Sequence, residues 1–307
     1  MKSVLISGAT SMLGLALIRE CINQKIDVVA VIKPASRKRF RLPVSSHVTV
    51  VECDINNLQK ITDMDLPSID TWYHFAWEST EKSTRDSIVA QQRNLNNTLA
   101  AIRVAHQLRC DRFIGAGSQA EYGRVNNIIS EDCACSPETA YGVAKYASCK
   151  LGALLTEQLI MGFIWVRIFS VYGINDMPTT MIMYCMDELL HGRPPALTKC
   201  EQHWDYLYSA DAAKAFLLLG KSTVAQGVYN LGSGTAKPLK QYVEQIRDAI
   251  DPTLPLDLGV KPYSPLQVMC LQSDISKLQR DTGFSPTTSF SEGIKELIKW
   301  FREVNIR

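Results

Sequence analysis

Short apolar runs rich in β-branched residues alternate with longer helical patterns through the first half of this chain. The helical patterns are clearest over residues 12–23, 87–107 and 138–159. The apolar runs that we predict as strands cover residues 4–8, 28–32, 48–53, 71–76, 112–116 and 164–169. Short apolar strands that are each followed by a helix are typical of a parallel sheet buried on both faces. The alternation therefore predicts a doubly wound α/β fold of the Rossmann type.

The alternation of short apolar runs and helical patterns ends after residue 172, where helical patterns lie among short strands and proline-containing loops. These later helical patterns lie near residues 181–190, 210–219, 239–250 and 290–302. A chain of 307 residues is long enough for about two domains. We therefore predict a larger N-terminal domain over residues 1–172 and a smaller C-terminal α/β lobe over residues 173–307, from which some segments can return to the first domain.

The charge balance and the cysteine pattern limit the class of protein. Lys and Arg total 33 against 31 Asp and Glu, and a formal net charge of +2 argues against a protein built to coat nucleic acid or an anionic membrane. No apolar run approaches the ~18 residues that span a bilayer, and no apolar leader with a cleavage site follows Met1. The nine scattered cysteines lack metal-ligand spacing and fit a reducing compartment. We expect a cytoplasmic protein without a metal site and without a nucleic-acid or membrane partner.

A turn bracketed by Gly8 and Gly14 joins the first predicted strand to the first predicted helix. Small residues here let the backbone approach a pyrophosphate at the helix N terminus, where unpaired N–H groups and the helix dipole favour anions. Ser11 stands where a third glycine is common; it limits that approach but can offer a hydroxyl and a backbone N–H. An ordinary strand-to-helix turn is the alternative, although the position at the start of a βαβ unit favours dinucleotide binding. The predicted contacts are Gly8, Thr10, Ser11, Met12, Leu13 and Gly14.

The loop after the second predicted strand lacks the acid that usually binds the ribose 2′-hydroxyl of NAD. It carries cations instead, and we predict that Lys33, Arg37 and Lys38 pair with the 2′-phosphate of NADP(H). A solvated basic loop and a nucleic-acid patch are the alternatives, but the chain has no basic excess elsewhere. NADP(H) is therefore the preferred cofactor, and NAD(H) stays the other candidate.

Tyr141 and Lys145 form a Y-x-x-x-K pattern on a predicted helix, so that the phenol and the ammonium lie one turn apart on one face. An ammonium ~4 Å from a phenol contributes ~4 kcal/mol at an effective dielectric of ~20, about three pKa units before desolvation is counted. We expect Lys145 to lower the pKa of Tyr141 in this way, so that the phenol can exchange a proton with a carbonyl or hydroxyl oxygen. Ser118 follows the fifth predicted strand, where it can lie beside the same oxygen. Ser118, Tyr141 and Lys145 are therefore the predicted catalytic residues.

These motifs, in this order, resemble the extended short-chain dehydrogenase/reductases of the NAD-dependent epimerase/dehydratase family. Further similar segments are the family's H-x-A at 74–76, its R-x-F-N-x-Y-G at 167–173 and its Y-N-I-G at 229–232, so that the match runs nearly end to end. The resemblance implies that the first domain binds the nicotinamide nucleotide and that the C-terminal lobe binds a nucleotide sugar. It also implies cofactor contacts from Asp54, Ile55, Phe75, Ala76, Trp77, Asn94, Tyr141, Lys145 and Phe169.

The sequence departs from some branches of this family. The 4,6-dehydratases carry an Asp-Glu pair directly after the catalytic Ser or Thr, where this chain has Gln119 and Ala120, and this argues against elimination chemistry. Ser170 and Trp204 stand where UDP-sugar 4-epimerases carry asparagine and arginine. The sequence instead resembles reductases of 4-keto-6-deoxyhexoses on CDP or TDP carriers. The substrate contacts that this resemblance implies are Trp77, Ser118, Gln119, Tyr141, Ser170 and Trp204.

The resemblance thus implies NADPH-dependent reduction of the C4 keto group of a nucleotide-linked sugar. Tyr141 would protonate the developing alkoxide, Ser118 would orient it, and Lys145 would hold the nicotinamide ribose. A 4-epimerase with tightly bound NAD is the first alternative, against which Lys33 and the missing acid count. A non-catalytic NADPH-sensing or partner-binding protein is the second, against which the intact triad counts. The resemblance also implies a homodimer through the helices at residues 87–107 and 138–159.

Overall fold

The computed structural model describes residues 1–81, 83–125, 127–264 and 267–305. The strands in this part of the chain are β1 (Ser3–Ser7), β2 (Asp27–Ile32), β3 (Val48–Glu52), β4 (Thr71–His74), β5 (Arg112–Ser118), β6 (Gly162–Ile168), β7 (Ser170–Tyr172), β8 (His203–Trp204), β9 (Tyr206–Tyr208), β10 (Gly227–Leu231), β11 (Lys237–Pro238) and β12 (Cys270–Leu271). The α-helices are α1 (Met12–Asn23), α2 (Ile88–Gln107), α3 (Ala140–Gln158), α4 (Met181–Leu190), α5 (Ser209–Lys221), α6 (Leu239–Ile250), α7 (Ser276–Thr282) and α8 (Phe290–Asn305).

A seven-stranded sheet in the order β10-β6-β5-β4-β1-β2-β3 forms the centre of the molecule. Each pair of neighbouring strands is parallel, and the predicted doubly wound α/β fold is confirmed. The six predicted strands are present, with ends that differ by at most two residues. The strand order reverses between β1 and β4, and in open α/β sheets ligands bind at the carboxyl ends of the strands beside such a switch point.

Two apolar cores, one on each face of the sheet, explain why its strands are apolar without alternation. Successive side chains of a strand point to opposite faces, so that a strand covered on both sides is apolar throughout. On one face Val4 and Ile6 pack in a core that also holds Phe216 of α5. On the other face Leu5 packs in a core that also holds Ile102 of α2. The helices α1 and α5 therefore cover one face, and α2 and α3 cover the other.

The C-terminal lobe has a core of its own, to which α4, α6 and α8 contribute Ile182, Val243 and Leu297. It also contains two small sheets, β11-β8-β12 and β7-β9. Two elements beyond residue 172 return to the first domain, since α5 packs against α1 and β10 pairs with β6. The division of the chain at residue 172 stays a prediction. Within the described ranges, no helix is both long and apolar enough to cross a membrane.

Candidate active site

A cavity of about 640 Å³, here called the first cavity, opens at the carboxyl ends of β1, β2, β4, β5 and β6. Because parallel strands end at one edge of the sheet, residues far apart in sequence meet there. Most of the residues predicted to bind the cofactor, and all three predicted catalytic residues, line this cavity. They are Gly8, Thr10, Ser11, Met12, Leu13, Lys33, Lys38, Asp54, Ile55, Phe75, Ala76, Trp77, Ser118, Tyr141, Lys145 and Phe169.

The turn between β1 and α1 requires both of its glycines. Gly8 has a φ of +77°, and a Cβ on it would lie 2.6 Å from the amide nitrogen of Ala76. A Cβ on Gly14 would lie 2.5 Å from the carbonyl oxygen of Gly8, and Gly14 itself does not line the cavity. Ser11 caps α1, because its Oγ accepts a hydrogen bond of 3.1 Å from the Gly14 N–H. The hydroxyl is therefore used inside the turn, and the first-turn N–H groups without helical partners are what the turn offers to an anion.

A cluster of cations surrounds the end of the first cavity beside β2. Lys33, Lys38 and Arg41 line it, whereas the predicted Arg37 is exposed and does not. The short 3-10 turn Arg39–Arg41 carries Arg41 back to the cavity. The sequence signal for Arg41 is the continuation of the basic run beyond Lys38, in Arg39 and Arg41.

Asn94 holds a loop instead of lining the first cavity. Its Oδ1 accepts from the Glu78 N–H at 2.8 Å, and its Nδ2 donates to the Glu78 carbonyl oxygen at 2.9 Å. One turn earlier on α2, Gln91 accepts a 2.9 Å hydrogen bond from Nε1 of Trp77. These buried amides of α2 thus fix the loop after β4, which brings Trp77 into the cavity.

Trp77, Tyr141 and Lys145 form a compact cluster at the centre of the first cavity. Thr139 caps α3, so that Tyr141 lies in its first turn and Lys145 one turn further on. The Lys145 ammonium donates to the Ala116 carbonyl oxygen at 2.6 Å and lies 3.5 Å from the centroid of the Trp77 ring. It lies 5.7 Å from the centroid of the Tyr141 ring, which meets the Trp77 ring edge-on at 6.1 Å.

Burial dominates the protonation of both titratable groups in this cluster. It raises the pKa of Tyr141 to about 12, although a hydrogen bond with Ser118 lowers it in part. Burial also lowers the pKa of Lys145 to about 7, against the opposing effect of the Glu121 carboxylate. The expected lowering of the phenol pKa by Lys145 is absent from this arrangement. The ammonium is directed at a carbonyl oxygen and an aromatic face, and desolvation of the phenolate outweighs its distant charge.

Ser118 is held at the end of β5 by the turn that follows it. Its Oγ accepts from the Ala120 N–H at 3.2 Å, and its own N–H donates to the Glu121 carboxylate at 2.9 Å, which together make a capping box. Gln119 lies in this turn but does not line the first cavity. Glu121 was not a predicted site residue, and its side chain is fully buried behind the turn.

A second cavity of about 610 Å³ lies in the C-terminal lobe, and Trp204, Tyr184 and Lys261 are among its lining residues. The Trp204 Nε1 donates to the Ser170 Oγ at 2.6 Å. Trp204 thus lines the second cavity and Ser170 supports it, and neither residue lines the first cavity. The segment after β7 separates the two cavities, since residues 175–177 line the first and residues 178–179 line the second.

Asp176, on that dividing segment, is a titratable group that the sequence analysis missed. Its carboxylate accepts from the Met177 N–H at 2.7 Å and from the Thr180 hydroxyl at 3.1 Å. Burial raises its pKa to about 6. Asp176 lines the first cavity, so that its carboxylate can accept hydrogen bonds from hydroxyl groups of a ligand bound there.

Residues 4–232 match the model of the NAD dependent epimerase/dehydratase family. The chain belongs to this family. A dTDP-4-dehydro-6-deoxyglucose reductase of Escherichia coli is 24% identical to it, in a match that covers 98% of each chain. A dTDP-glucose 4,6-dehydratase of Haemophilus influenzae is also 24% identical, again over 98% of each chain. The UDP-glucose 4-epimerase of Thermus thermophilus, solved in complex with NAD, has the same fold, with a TM-score of 0.85 at 20% identity over 98% of this chain and 99% of that one.

As a member of the epimerase/dehydratase family, the chain is an NAD(P)-dependent enzyme that modifies a nucleotide sugar. The predicted family is therefore confirmed. Reductases, dehydratases and epimerases of the family are all represented among its relatives and structural neighbours.

Proposed function

We propose that this enzyme uses NADPH to reduce the C4 keto group of a 4-keto-6-deoxyhexose carried on CDP or dTDP. The observation that carries the proposal is the set of proton-transfer groups in the first cavity. Tyr141 and Ser118 can serve one carbonyl oxygen, while Gln119 and Ala120 occupy the positions at which an eliminating enzyme needs acids. The similarity over 98% of the chain to a dTDP-4-dehydro-6-deoxyglucose reductase supports the same activity.

The residues of the first cavity fit a dinucleotide phosphate. When bound, NADPH supplies the hydride. The turn at Gly8 and the N terminus of α1 would hold its pyrophosphate, and Lys145 would hold the nicotinamide ribose. Lys33, Lys38 and Arg41 would pair with the 2′-phosphate, which supports NADPH over NADH.

The protonated phenol of Tyr141 is the form that a reductase needs as its general acid. With its pKa raised to about 12, the phenol carries its proton throughout the neutral range. It can therefore act at once as the general acid that protonates a C4 alkoxide. Ser118, which hydrogen-bonds Tyr141, would donate to the same oxygen and fix its position.

The second cavity would hold the nucleotide diphosphate. Trp204 offers an aromatic face to a base, and Lys261, whose Nζ lies 4.7 Å from the centroid of the Tyr184 ring, offers a cation to the diphosphate. The sugar would then pass over Asp176 into the first cavity, so that binding energy from the remote nucleotide positions the C4 carbon at Tyr141.

A 4-epimerase with tightly bound NAD is the second candidate. The fold shared with a UDP-glucose 4-epimerase in complex with NAD favours it. Such an enzyme must first oxidise its sugar, and Tyr141 would have to accept a proton before it could donate one. The raised phenol pKa counts against this order of events, and the three cations beside β2 count against NAD as the cofactor.

The test is turnover of dTDP- and CDP-4-keto-6-deoxyglucose with NADPH, followed by the loss of nicotinamide absorbance. We expect net oxidation of a freely exchanging NADPH. Tyr141→Phe should lower kcat by about 10³-fold with nearly unchanged NADPH affinity, whereas Tyr146→Phe on the same helix should retain activity. NAD that stays bound through purification, with interconversion of C4 epimers and no net redox change, would replace the reductase by the epimerase. Cofactor binding without either reaction would leave the NADPH-sensing alternative.

We further propose that the enzyme works in the cytoplasm as a homodimer through α2 and α3. Apolar side chains of α3 such as Val143 and Leu154 are half exposed, and a second copy of the same helices would cover them. Light scattering should give twice the mass of the chain, and a monomeric mass would reject the dimer.

A further inference from the structure

We propose that Glu121 is a positioning residue of this active site, which fixes Ser118 and supplies the buried negative charge that acts on Lys145 and Tyr141. The proposal rests on the proposed roles of these three residues. Glu121 itself does not line the first cavity. It therefore acts through other residues and does not touch the substrate.

The Glu121 carboxylate is held in one position by three hydrogen bonds. Its Oε1 accepts from the Ser118 N–H and from the Trp165 Nε1, each at 2.9 Å, and its Oε2 accepts from the Arg167 Nε at 2.8 Å. Trp165 and Arg167 belong to β6, the strand next to β5. The backbone of Ser118 is thus anchored to the neighbouring strand through a carboxylate with no exposed surface.

The packing behind Ser118 is close, and it leaves no room for a side chain at Gly117. A Cβ on Gly117 would lie 2.6 Å from the Glu121 Oε1 and 2.3 Å from the Trp165 Nε1. Arg167 is itself fixed, because its guanidinium lies 4.4 Å from the centroid of the Tyr122 ring, whose hydroxyl donates to Asn230 at 2.6 Å. A displacement of the carboxylate would therefore move the Ser118 N–H.

The same carboxylate acts on both titratable groups of the catalytic cluster, and in the same sense. It raises the pKa of Lys145, against desolvation, and it adds to the effect of burial in raising the pKa of Tyr141. Glu121 thus favours the ammonium and the protonated phenol together. This is the protonation state from which a keto oxygen can receive a proton.

Other ionisable groups near this cluster do not replace Glu121. His74 of β4 is neutral, because burial and then the Lys145 charge lower its pKa to about 3. Arg85, which acts on Tyr141, lowers the phenol pKa and so opposes Glu121. Around the carboxylate, Arg167 supplies the compensating cation, and the thiols of Cys135 and Cys149 stay protonated because burial raises their pKa values.

Glu121 takes no direct part in the proposed reaction, although it lies beside the residues that do. Glu121 stands one position beyond the place at which dehydratases carry their second acid. Because the acid lies one residue later in the 3-10 turn Gln119–Glu121, its carboxylate points away from the first cavity and contacts the backbone of Ser118. Glu121 thus contributes to proton transfer indirectly, because it fixes Ser118 and its charge acts on Lys145 and Tyr141.

The test is an NMR titration of the Lys145 ammonium in ligand-free protein labelled with carbon-13 at the lysine ε-carbon, with Lys145→Met to assign the signal. We expect Glu121→Gln to lower the titration midpoint of Lys145 by about one pH unit or more. The matched control is Glu131→Gln, which removes another part-buried carboxylate that bonds the Asn230 N–H and should leave the midpoint unchanged. Equal midpoints in wild type and Glu121→Gln would overturn the electrostatic role.

Glu121→Asp separates position from charge, because it keeps the charge on a side chain that is too short to reach the Ser118 N–H. We expect a midpoint close to that of wild type and a kcat reduced by about tenfold to a hundredfold, with the KM for NADPH unchanged. A wild-type kcat would overturn the positioning role.

A double variant, Glu121→Met with Arg167→Met, covers the case in which Glu121→Gln fails to fold, since it leaves no unpaired buried charge. It should lower the Lys145 midpoint as Glu121→Gln does, and an unchanged midpoint would again overturn the electrostatic role. These titrations need no substrate. A shifted midpoint in a protein that reduces no keto-sugar would therefore refute the proposed function and leave the effect of Glu121 on Lys145 standing.

Discussion

Replacement of Trp77 by leucine should lower the pKa of Lys145, because it removes an aromatic face from the ammonium. The Lys145 Nζ lies 3.5 Å from the centroid of the Trp77 ring, and a desolvated cation–π contact contributes about 2 kcal/mol. At 1.36 kcal/mol per pKa unit this contact is equivalent to about 1.5 units. The pKa of Lys145 in the variant should therefore lie about 1.5 units below that of wild type, in which burial already lowers it. At a given pH above both pKa values, the ratio of charged to neutral Lys145 then falls about 30-fold.

Leucine is the substitution of choice because an alanine would admit water beside Lys145. Water would relieve the desolvation that lowers the lysine pKa and would so hide the loss of the aromatic face. The assay is the titration of the carbon-13 signal of Lys145 in ligand-free protein, with Trp77→Phe as the control that retains a ring but loses the hydrogen bond to Gln91. Trp77→Phe should titrate close to wild type. If Trp77→Leu also does so, the ring face contributes nothing to the charge of Lys145 and the reasoning fails.

Three further predictions concern the cavities and the stability of the protein. Arg41→Ala should raise the Kd for NADPH about tenfold and leave that for NADH nearly unchanged, whereas Arg37→Ala should alter neither. A fluorescence titration in which Arg37→Ala weakens NADPH binding and Arg41→Ala does not would show that Arg37 binds the 2′-phosphate. The free energy of unfolding should rise with pH more steeply in wild type than in Lys145→Met, by about 1.36 kcal/mol per pH unit between pH 7.5 and 9. In this pH range Lys145 has a pKa of about 7 in the folded protein and near 10.4 in the unfolded chain, so that the unfolded chain binds more protons. Equal pH slopes of the unfolding free energy in wild type and Lys145→Met, measured by urea unfolding, would contradict the burial of a neutral lysine. Asp176→Asn should abolish a rise in the KM of the sugar nucleotide below about pH 6, where the wild-type carboxylate, with its pKa raised to about 6, becomes protonated; a rise that persists in the variant must come from another group.

The fold was predictable because each strand of the central sheet is short, apolar throughout and followed by a helix. Burial on both faces leaves that pattern in β1, whose residues are all buried. β10 was not predicted as a strand, because its sequence is not apolar throughout. It follows α5 from a part of the chain assigned to the second lobe, and its Asn230 carries hydrogen bonds to Tyr122 and to the carbonyl oxygen of Ile129 in place of an apolar contact.

The site was less predictable where side chains serve the fold instead of the ligand. Asn94 matches a family position, yet its side-chain amide forms hydrogen bonds with both backbone groups of Glu78. A motif records that an amide is needed at this position and cannot record which partner it meets. In the same way, the basic run after β2 indicated an anion site, but only the fold of the Arg39–Arg41 turn decided that Arg41 lines the cavity and Arg37 does not.

The direction of proton transfer depends on how burial acts on two groups of opposite charge. Desolvation disfavours the charged form of each, so that it retains the proton on Tyr141 and removes the proton from Lys145. The first effect suits a general acid, and the second would deprive the site of its cation. Trp77 and Glu121 oppose the second effect, the one by its ring face and the other by its charge. Glu121 also reinforces the first effect, so that in the proposed reductase this buried carboxylate would favour the protonated phenol without touching the substrate. An epimerase of this fold would need the opposite influence on its tyrosine, because its phenol must give up the proton before the first hydride leaves the sugar.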